Sequence, residues 1–178
     1  HAQAIGRRVV LGFREQGSHR IVDMRECAVL APQLFALVTP LRKLLEGWND
    51  RKLAVDIELA LADQGVAVGL QGLVAEGLRQ TEALLDFARD NGLARLTLDS
   101  GYGAETVWEP EPVTITLGGT PVALPPGGFL QATQDGEDAL VSAARAWLGD
   151  APTVADLFAG LGTFAFALAG PGTKVVWN

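Results

Sequence analysis

The sequence predicts an α+β domain built on antiparallel hairpins, followed by the incomplete start of a doubly wound α/β domain. Three observations carry this. Before residue 125, apolar runs flank short turn signals three times. Helical periodicity separates the first hairpin from the second, and the second from a further strand. After the Pro-Gly stretch at 125–128 the order becomes helix, apolar strand, glycine-spaced loop, helix and strand, as in a Rossmann-like parallel crossover. We therefore divide the chain into 1–125 and 126–178.

The elements follow in order. "RRVVLGFRE" and "HRIVDM" are rich in β-branched residues, and "QGS" between them predicts a hairpin. In "PQLFALVTPLRKLLEGW", Leu34, Leu37, Val38, Leu41, Leu44 and Leu45 recur at helical spacing. Pro32 suits a first turn, whereas Pro40 predicts a kink or break. "KLAVDIELALADQGVAVGLQGL" alternates on both sides of a turn at 63–65. "LRQTEALLDFARDNG" is an amphipathic helix capped by Gly92, and "LARLTLDS" is a strand. "PVTITLGGTPVALPPGG" turns at Gly118-Gly119. "DGEDALVSAARAWLG" is a helix, "TVADLFA" a buried strand, "GTFAFALAG" a helix and "TKVVW" a strand.

Composition narrows the function classes. Of 178 residues, 48% are hydrophobic and 20% charged, the balance of a globular protein. No apolar run reaches membrane-spanning length, so no membrane partner is expected. A single cysteine, Cys27, excludes an intrachain disulfide and suits a reducing cytoplasm. The net charge of −7 lends no support to nucleic-acid binding through bulk charge. Basic residues gather at the front: Arg7, Arg8, Arg14, His19, Arg20 and Arg25. The chain begins with His1 and its only methionine is Met24, so we expect a fragment of a longer protein.

The loop "DLFAGLGTFAFALAG" (156–170) carries the chemistry. Gly160 and Gly162 permit close backbone approach, and a helix start offers free amides. Three readings compete. A plain strand-to-helix turn binds nothing. Gly160, Gly162 and Ala165 fit the G-x-G-x-x-[GA] spacing of NAD-binding oxidoreductases. Alternatively, "V-x-D-L-F-x-G-x-G" resembles motif I of class I S-adenosylmethionine-dependent methyltransferases. That resemblance implies that Asp156, Phe158, Gly160 and Gly162 surround the cofactor. A loop with a nearby carboxylate suits a zwitterionic ligand without a pyrophosphate.

Upstream, "GGFLQATQDGEDALVSAARAWL" is similar to the F-x-Q-x-N element that precedes motif I in RNA uracil-C5 methyltransferases, makers of 5-methyluridine in ribosomal or transfer RNA. Phe129 and Gln131 match, and the resemblance has Gln131 bond the cofactor's amino-acid end. Thr133 replaces the asparagine. Thr163 stands where another asparagine often follows the second glycine. "KVVWN" ends in Trp177 and Asn178 where the family places a ribose-binding acid. The front, "GFREQGSHRIVDMRECAVLAPQLFALVTPLRKLL", closely resembles the start of that family's central domain. There Cys27 occupies the position of the last of four ligands to a [4Fe–4S] cluster in some members. The likeness is close at 8–45 and 127–170 and loose at 50–125.

The family's chemistry is covalent. A cysteine thiolate adds to uracil C6, C5 attacks the methyl group, and a glutamate removes the C5 proton. The resemblance places both groups after motif I and outside this chain, so we expect the chain alone to be inactive. Arg14, His19 and Arg20 are candidate contacts to RNA phosphates. A non-catalytic RNA-binding module is the remaining class. A β-α-β start with uncovered faces predicts self-association through the truncated sheet.

Overall fold

The computed structural model describes residues 1–5, 8–48 and 53–178. The chain divides into two compact units, His1–Val113 and Thr114–Asn178. The hairpin at 114–123, which the sequence reading places before the boundary, groups with the second unit.

The first unit holds strands β1 (Ala2–Ile5), β2 (Arg8–Arg14) and β3 (Ile21–Asp23), then helices α1 (Pro32–Ala36) and α2 (Val38–Glu46). Strands β4 (Ala54–Ala62) and β5 (Gly65–Gln71) follow. Helix α3 (Gly77–Asp90) leads to β6 (Arg95–Asp99) and β7 (Ala104–Trp108). Among the described residues these strands form one sheet in the order β3-β2-β1-β4-β5-β6-β7. The two expected hairpins are present: β2 pairs antiparallel with β3, and β4 with β5 across Asp63 and Gln64. The sheet is not purely antiparallel, because β5 and β6 pair parallel. Helix α3 supplies the crossover that a parallel pair requires.

Local chemistry explains the helix boundaries. Pro40 has no amide proton, so the carbonyl of Ala36 loses its helical partner. α1 accordingly ends at Ala36, and Pro40 falls in the first turn of α2, where a missing donor does no harm. The break thus lies one turn before the proline. α3 ends in a paired cap: Gly92 is left-handed (φ 59°), its amide donates to the Arg89 carbonyl at 3.1 Å, and that of Leu93 to Ala88 at 2.9 Å.

One core serves this unit. Val55, Val66, Val68, Leu70 and Leu96 from the strands meet Leu41 and Leu45 of α2 and Leu84 and Phe87 of α3. The period of two sends Asp56, Glu58, Gln71 and Thr97 to the other face.

The second unit contains β8 (Thr114–Leu117), β9 (Thr120–Ala123), α4 (Gln134–Leu148), β10 (Thr153–Asp156), α5 (Thr163–Leu168) and β11 (Lys174–Trp177). β8 and β9 form a hairpin, and both turn glycines are left-handed, as a tight two-residue turn demands. β10 and β11 pair parallel around α5. The strand expected over 153–159 stops at Asp156. Leu157 and Phe158 are exposed loop residues, not a buried continuation. A side chain at Gly118 would lie 2.6 Å from the carbonyl oxygen of Phe166, so the hairpin tip touches α5 backbone.

Candidate functional site

The second unit builds its loop from a strand end and a helix start. β10 delivers Asp156 half-buried at its last position. The Oδ2 atom of Asp156 is buried and has no hydrogen-bond partner among the described residues. A buried carboxylate oxygen left unpaired is costly, and such atoms commonly mark where a ligand or ion binds.

The loop then takes three left-handed steps, at Phe158 (φ 62°), Gly160 (φ 58°) and Gly162 (φ 91°). Glycine adopts these without penalty. Phe158 does not: it is the one non-glycine residue with positive φ among those described, and its ring is 96% exposed. Such a conformation costs roughly 1–3 kcal/mol, and strain of this kind clusters at functional sites. Across from it, Phe158 N–H lies 3.4 Å from Oδ1 of Asn178, just past β11.

The two glycines do different things. A Cβ at Gly162 would sit 2.8 Å from the Phe166 ring, so this glycine leaves room for a ring of α5 folded back over the helix start. Phe166 in turn lies 5.9 Å from the Trp177 ring. Around Gly160 nothing lies within 4 Å of an added Cβ, which leaves the backbone open on that side. Ala165, the third position of the dinucleotide spacing, is buried. Thr163 is the first residue of α5 and is half-buried.

Gln131 is half-buried in the extended segment before α4, and Phe129 is exposed. Thr133 is the N-cap of α4: its hydroxyl oxygen accepts from the Gly136 amide at 3.2 Å. The same hydroxyl, followed by the Gly136 amide, holds the Asp135 carboxyl below its usual range. Arg145, which sequence reasoning passed over, donates from Nε to the Ala167 carbonyl at 3.0 Å and caps α5 from α4. Nothing in the sequence pairs residues 22 positions apart on two helices.

In the first unit, Cys27 is half-buried and its Sγ lies 3.3 Å from the Leu30 amide. No group of three or more His, Cys, Asp or Glu among the described residues could hold a metal ion. Arg14 and His19 line one depression of about 210 Å³ together with Asp56. Asp56 accepts from His1 and lies 3.5 Å from Arg14 Nη2, so a carboxylate offsets the positive charge there. Arg20 sits outside that depression, its amide 2.9 Å from Ser18 Oγ. Arg7 falls outside the described residues. A groove of about 850 Å³ between α2 and α3, lined by Lys43, Trp48, Arg79 and Phe87 among others, holds none of the candidate binding residues named from the sequence. No described helix is long and apolar enough to cross a membrane.

Comparison with known proteins gives a consistent result, although no family model matches. The chain is 48% identical over 162 residues to an uncharacterized RNA methyltransferase of Zymomonas mobilis, covering 91% of this chain and 41% of that protein. It is 36% identical over 171 residues to a 23S rRNA (uracil(1939)-C(5))-methyltransferase of Edwardsiella ictaluri, covering 95% of this chain and 39% of the relative. The corresponding enzyme of Pectobacterium carotovorum is 33% identical over 176 residues, 98% of this chain and 39% of its own length. The chain thus spans about two-fifths of the length of these relatives.

Proposed function

Since the chain belongs to the RNA methyltransferase family that includes the 23S rRNA uracil-C5 enzymes, we propose that it forms part of an enzyme methylating C5 of a uridine in RNA with S-adenosylmethionine. In this reading the first unit is the central domain, and the β10–α5–β11 unit opens the doubly wound cofactor domain. Ribosomal RNA is favoured over transfer RNA, because relatives whose names state a substrate state 23S rRNA. The enzyme works in the cytoplasm.

The observation that carries the reading is the buried, partnerless Oδ2 of Asp156 beside the left-handed loop. Bound S-adenosylmethionine supplies an electrophilic methyl group. Asp156 accepts a hydrogen bond from the cofactor, and Gln131 offers an amide to its amino-acid end. Gly160 keeps the backbone clear on the ligand side, Phe158 presents an apolar ring, and Gly162 and Thr163 set the start of α5. Arg14, His19 and Arg20 touch RNA phosphate, with Asp56 weakening the attraction.

Cys27 would ligate a [4Fe–4S] cluster only together with three further thiolates, and this chain has no other cysteine. With Cys27 assigned to that position, nothing in the chain attacks uracil C6. The chain alone therefore gives no methyl transfer. The free edges of the β10–β11 sheet favour a second copy of the chain as a partner in solution, checked by light scattering.

Calorimetric titration tests the cofactor assignment. S-adenosylmethionine is expected to bind weakly, NADH not at all, and Asp156→Ala to abolish the heat. Tighter binding of NADH would refute the assignment in favour of an oxidoreductase. Release of tritiated methyl into uracil-containing RNA by the chain alone would refute the expected inactivity.

A further inference from the structure

The groove between α2 and α3 has a volume of about 850 Å³, within the range of sites that take a ligand of nucleotide size. One of its lining groups is a fixed aromatic ring. Trp48, just past α2, donates from Nε1 to the Val74 carbonyl at 2.9 Å, and its half-buried indole packs against the core beside Leu44. The ring is thus held by its own hydrogen bond and by packing while it still lines the groove. A side chain ordered before its ligand arrives loses little freedom on binding.

The charges on the groove do not cancel. Lys43 on α2 and Arg79 on α3 are exposed, and neither forms an ion pair among the described residues. Arg14, by contrast, has Asp56 beside it. Of the two carboxylates that line the groove, Asp90 lies 3.1 Å from Arg89 Nη2 and is already paired. Glu76 has no cationic partner among the described residues, so two free cations face one free carboxylate. Two amide side chains add direction. Gln80 Oε1 accepts from the Glu76 amide at 2.6 Å, which leaves its NH₂ group to donate. Asn91 Nδ2 donates to the Phe87 carbonyl at 2.8 Å, which leaves its oxygen to accept.

From these residues we propose that the groove binds single-stranded RNA, with one base stacked on Trp48 and the flanking phosphates met by Lys43 and Arg79. The proposal rests on the reading of the chain as part of an RNA-modifying enzyme and adds a second contact region to it, on the helical side of the first unit. An aromatic platform beside free cations is how proteins hold an unpaired strand: the ring takes the face of a base, the cations the backbone. A duplex stacks its bases on one another and has no free face to offer the indole. An acidic peptide would use the cations and leave the ring idle.

Fluorescence anisotropy of a labelled single-stranded oligouridine, titrated with the chain over a range of salt, tests this. Lys43→Gln and Arg79→Gln should each weaken binding roughly threefold to tenfold at low salt and flatten the slope of log affinity against log salt by about 0.7, the value for one phosphate contact on a single strand. Trp48→Ala should weaken binding roughly fivefold or more with the slope unchanged, and Trp48→Phe should fall between. Glu76→Gln should tighten binding, because it removes the unmatched carboxylate. Lys174→Gln on β11 should leave affinity and slope at their parental values. Circular dichroism and the melting temperature confirm the fold of each variant. If Trp48→Ala does not fold, the three substitutions at exposed Lys43, Arg79 and Glu76 carry the comparison. Parental affinity and slope in both folded cation variants overturn the proposal, as does an oligouridine that the parent does not bind. Displacement of the strand by oligoglutamate as readily as by unlabelled oligouridine overturns it in favour of an acidic peptide, and displacement by uridine monophosphate at equal concentration in favour of a free nucleotide. Absence of methyl transfer to uridine in RNA by the full-length enzyme would sink the proposed activity and leave these affinities as they are.

Discussion

The two units differ in how they hold their candidate residues. The first buries a continuous core in which two helices cover a seven-stranded sheet. The second has two small two-stranded sheets, an α4 with no buried residue, and exposed Phe129, Trp147, Leu157 and Phe158. Yet it is the sparsely packed unit that carries the most specific backbone geometry. Packing density and functional specification are thus separate properties. In the first unit, order comes from burial. In the second, it comes from a few short-range devices: a helix cap, a close-packing glycine, an arginine on a carbonyl.

Substitutions can sharpen or break this contrast. The largest effect belongs to the buried sheet. Leu96→Ala, at a fully buried centre, should cost about 2–5 kcal/mol in thermal or urea unfolding. An equally large loss from a β10 substitution such as Val154→Ala would erase the distinction. Hydrogen exchange should likewise find the amides of β10 and β11 opening well before those of β5 and β6.

Next in size is Gly162→Ala. It places a methyl group 2.8 Å from the Phe166 ring at a φ of 91°, and about 1–3 kcal/mol should be lost. The Gly160 site has open space, so Gly160→Ala should cost less, from φ alone. Equal losses at the two glycines would contradict the division of labour assigned to them.

Thr133→Ala removes the α4 cap and should cost about 1 kcal/mol, with Thr133→Ser close to parental. This site also carries a pH signature. Asp135 is held below its usual range by Thr133, so its contribution is complete at neutral pH, where both states are ionised. That contribution is lost as pH falls below the ordinary carboxylate range and through the lowered folded value. The gap in melting temperature between Thr133→Ala and the parent should therefore narrow in acid, without closing, because the Gly136 amide bond to Thr133 does not titrate. A difference that stays constant down to low pH would rule out the coupling.

The smallest effect is expected at Phe158. Phe158→Gly relieves the left-handed strain and should leave the unliganded chain unchanged or up to about 1 kcal/mol more stable. At the same time it should weaken S-adenosylmethionine binding. A destabilised variant with parental cofactor affinity would remove Phe158 from the site.

Much of the architecture was legible because it is local. The alternation around Asp63 and Gln64, the Gly118-Gly119 turn and the Gly92 cap each lie within a few residues of the signal that reveals them. What escaped is long-range. β1 and β7 are short runs, "AQAI" and "AETVW", with too few apolar positions to stand out alone. Each becomes a strand because a neighbour is waiting: β1 between β2 and β4, β7 against β6. The parallel pairing of β5 with β6 was hidden for the same reason, although both strands and α3 were readable separately. In the candidate site, the motif residues could be read from spacing. The orphaned oxygen of Asp156 and the Arg145 bond to the Ala167 carbonyl could not, since nothing in a one-dimensional pattern encodes an unmet hydrogen bond or a pairing 22 positions apart.

The contact between the tip of the β8–β9 hairpin and the Phe166 carbonyl bears on how the gene can be divided. Sequence patterning invites a cut after residue 125, at the Pro-Gly stretch, and that cut would strip α5 of the hairpin that touches its backbone. A cut at 113 keeps hairpin, α4 and glycine loop on one polypeptide. Shuffling or tagging of this protein should therefore treat the hairpin as cargo of the glycine loop: hybrids joined at 113 are expected to express as folded protein, and hybrids joined at 125 to be lost to proteolysis.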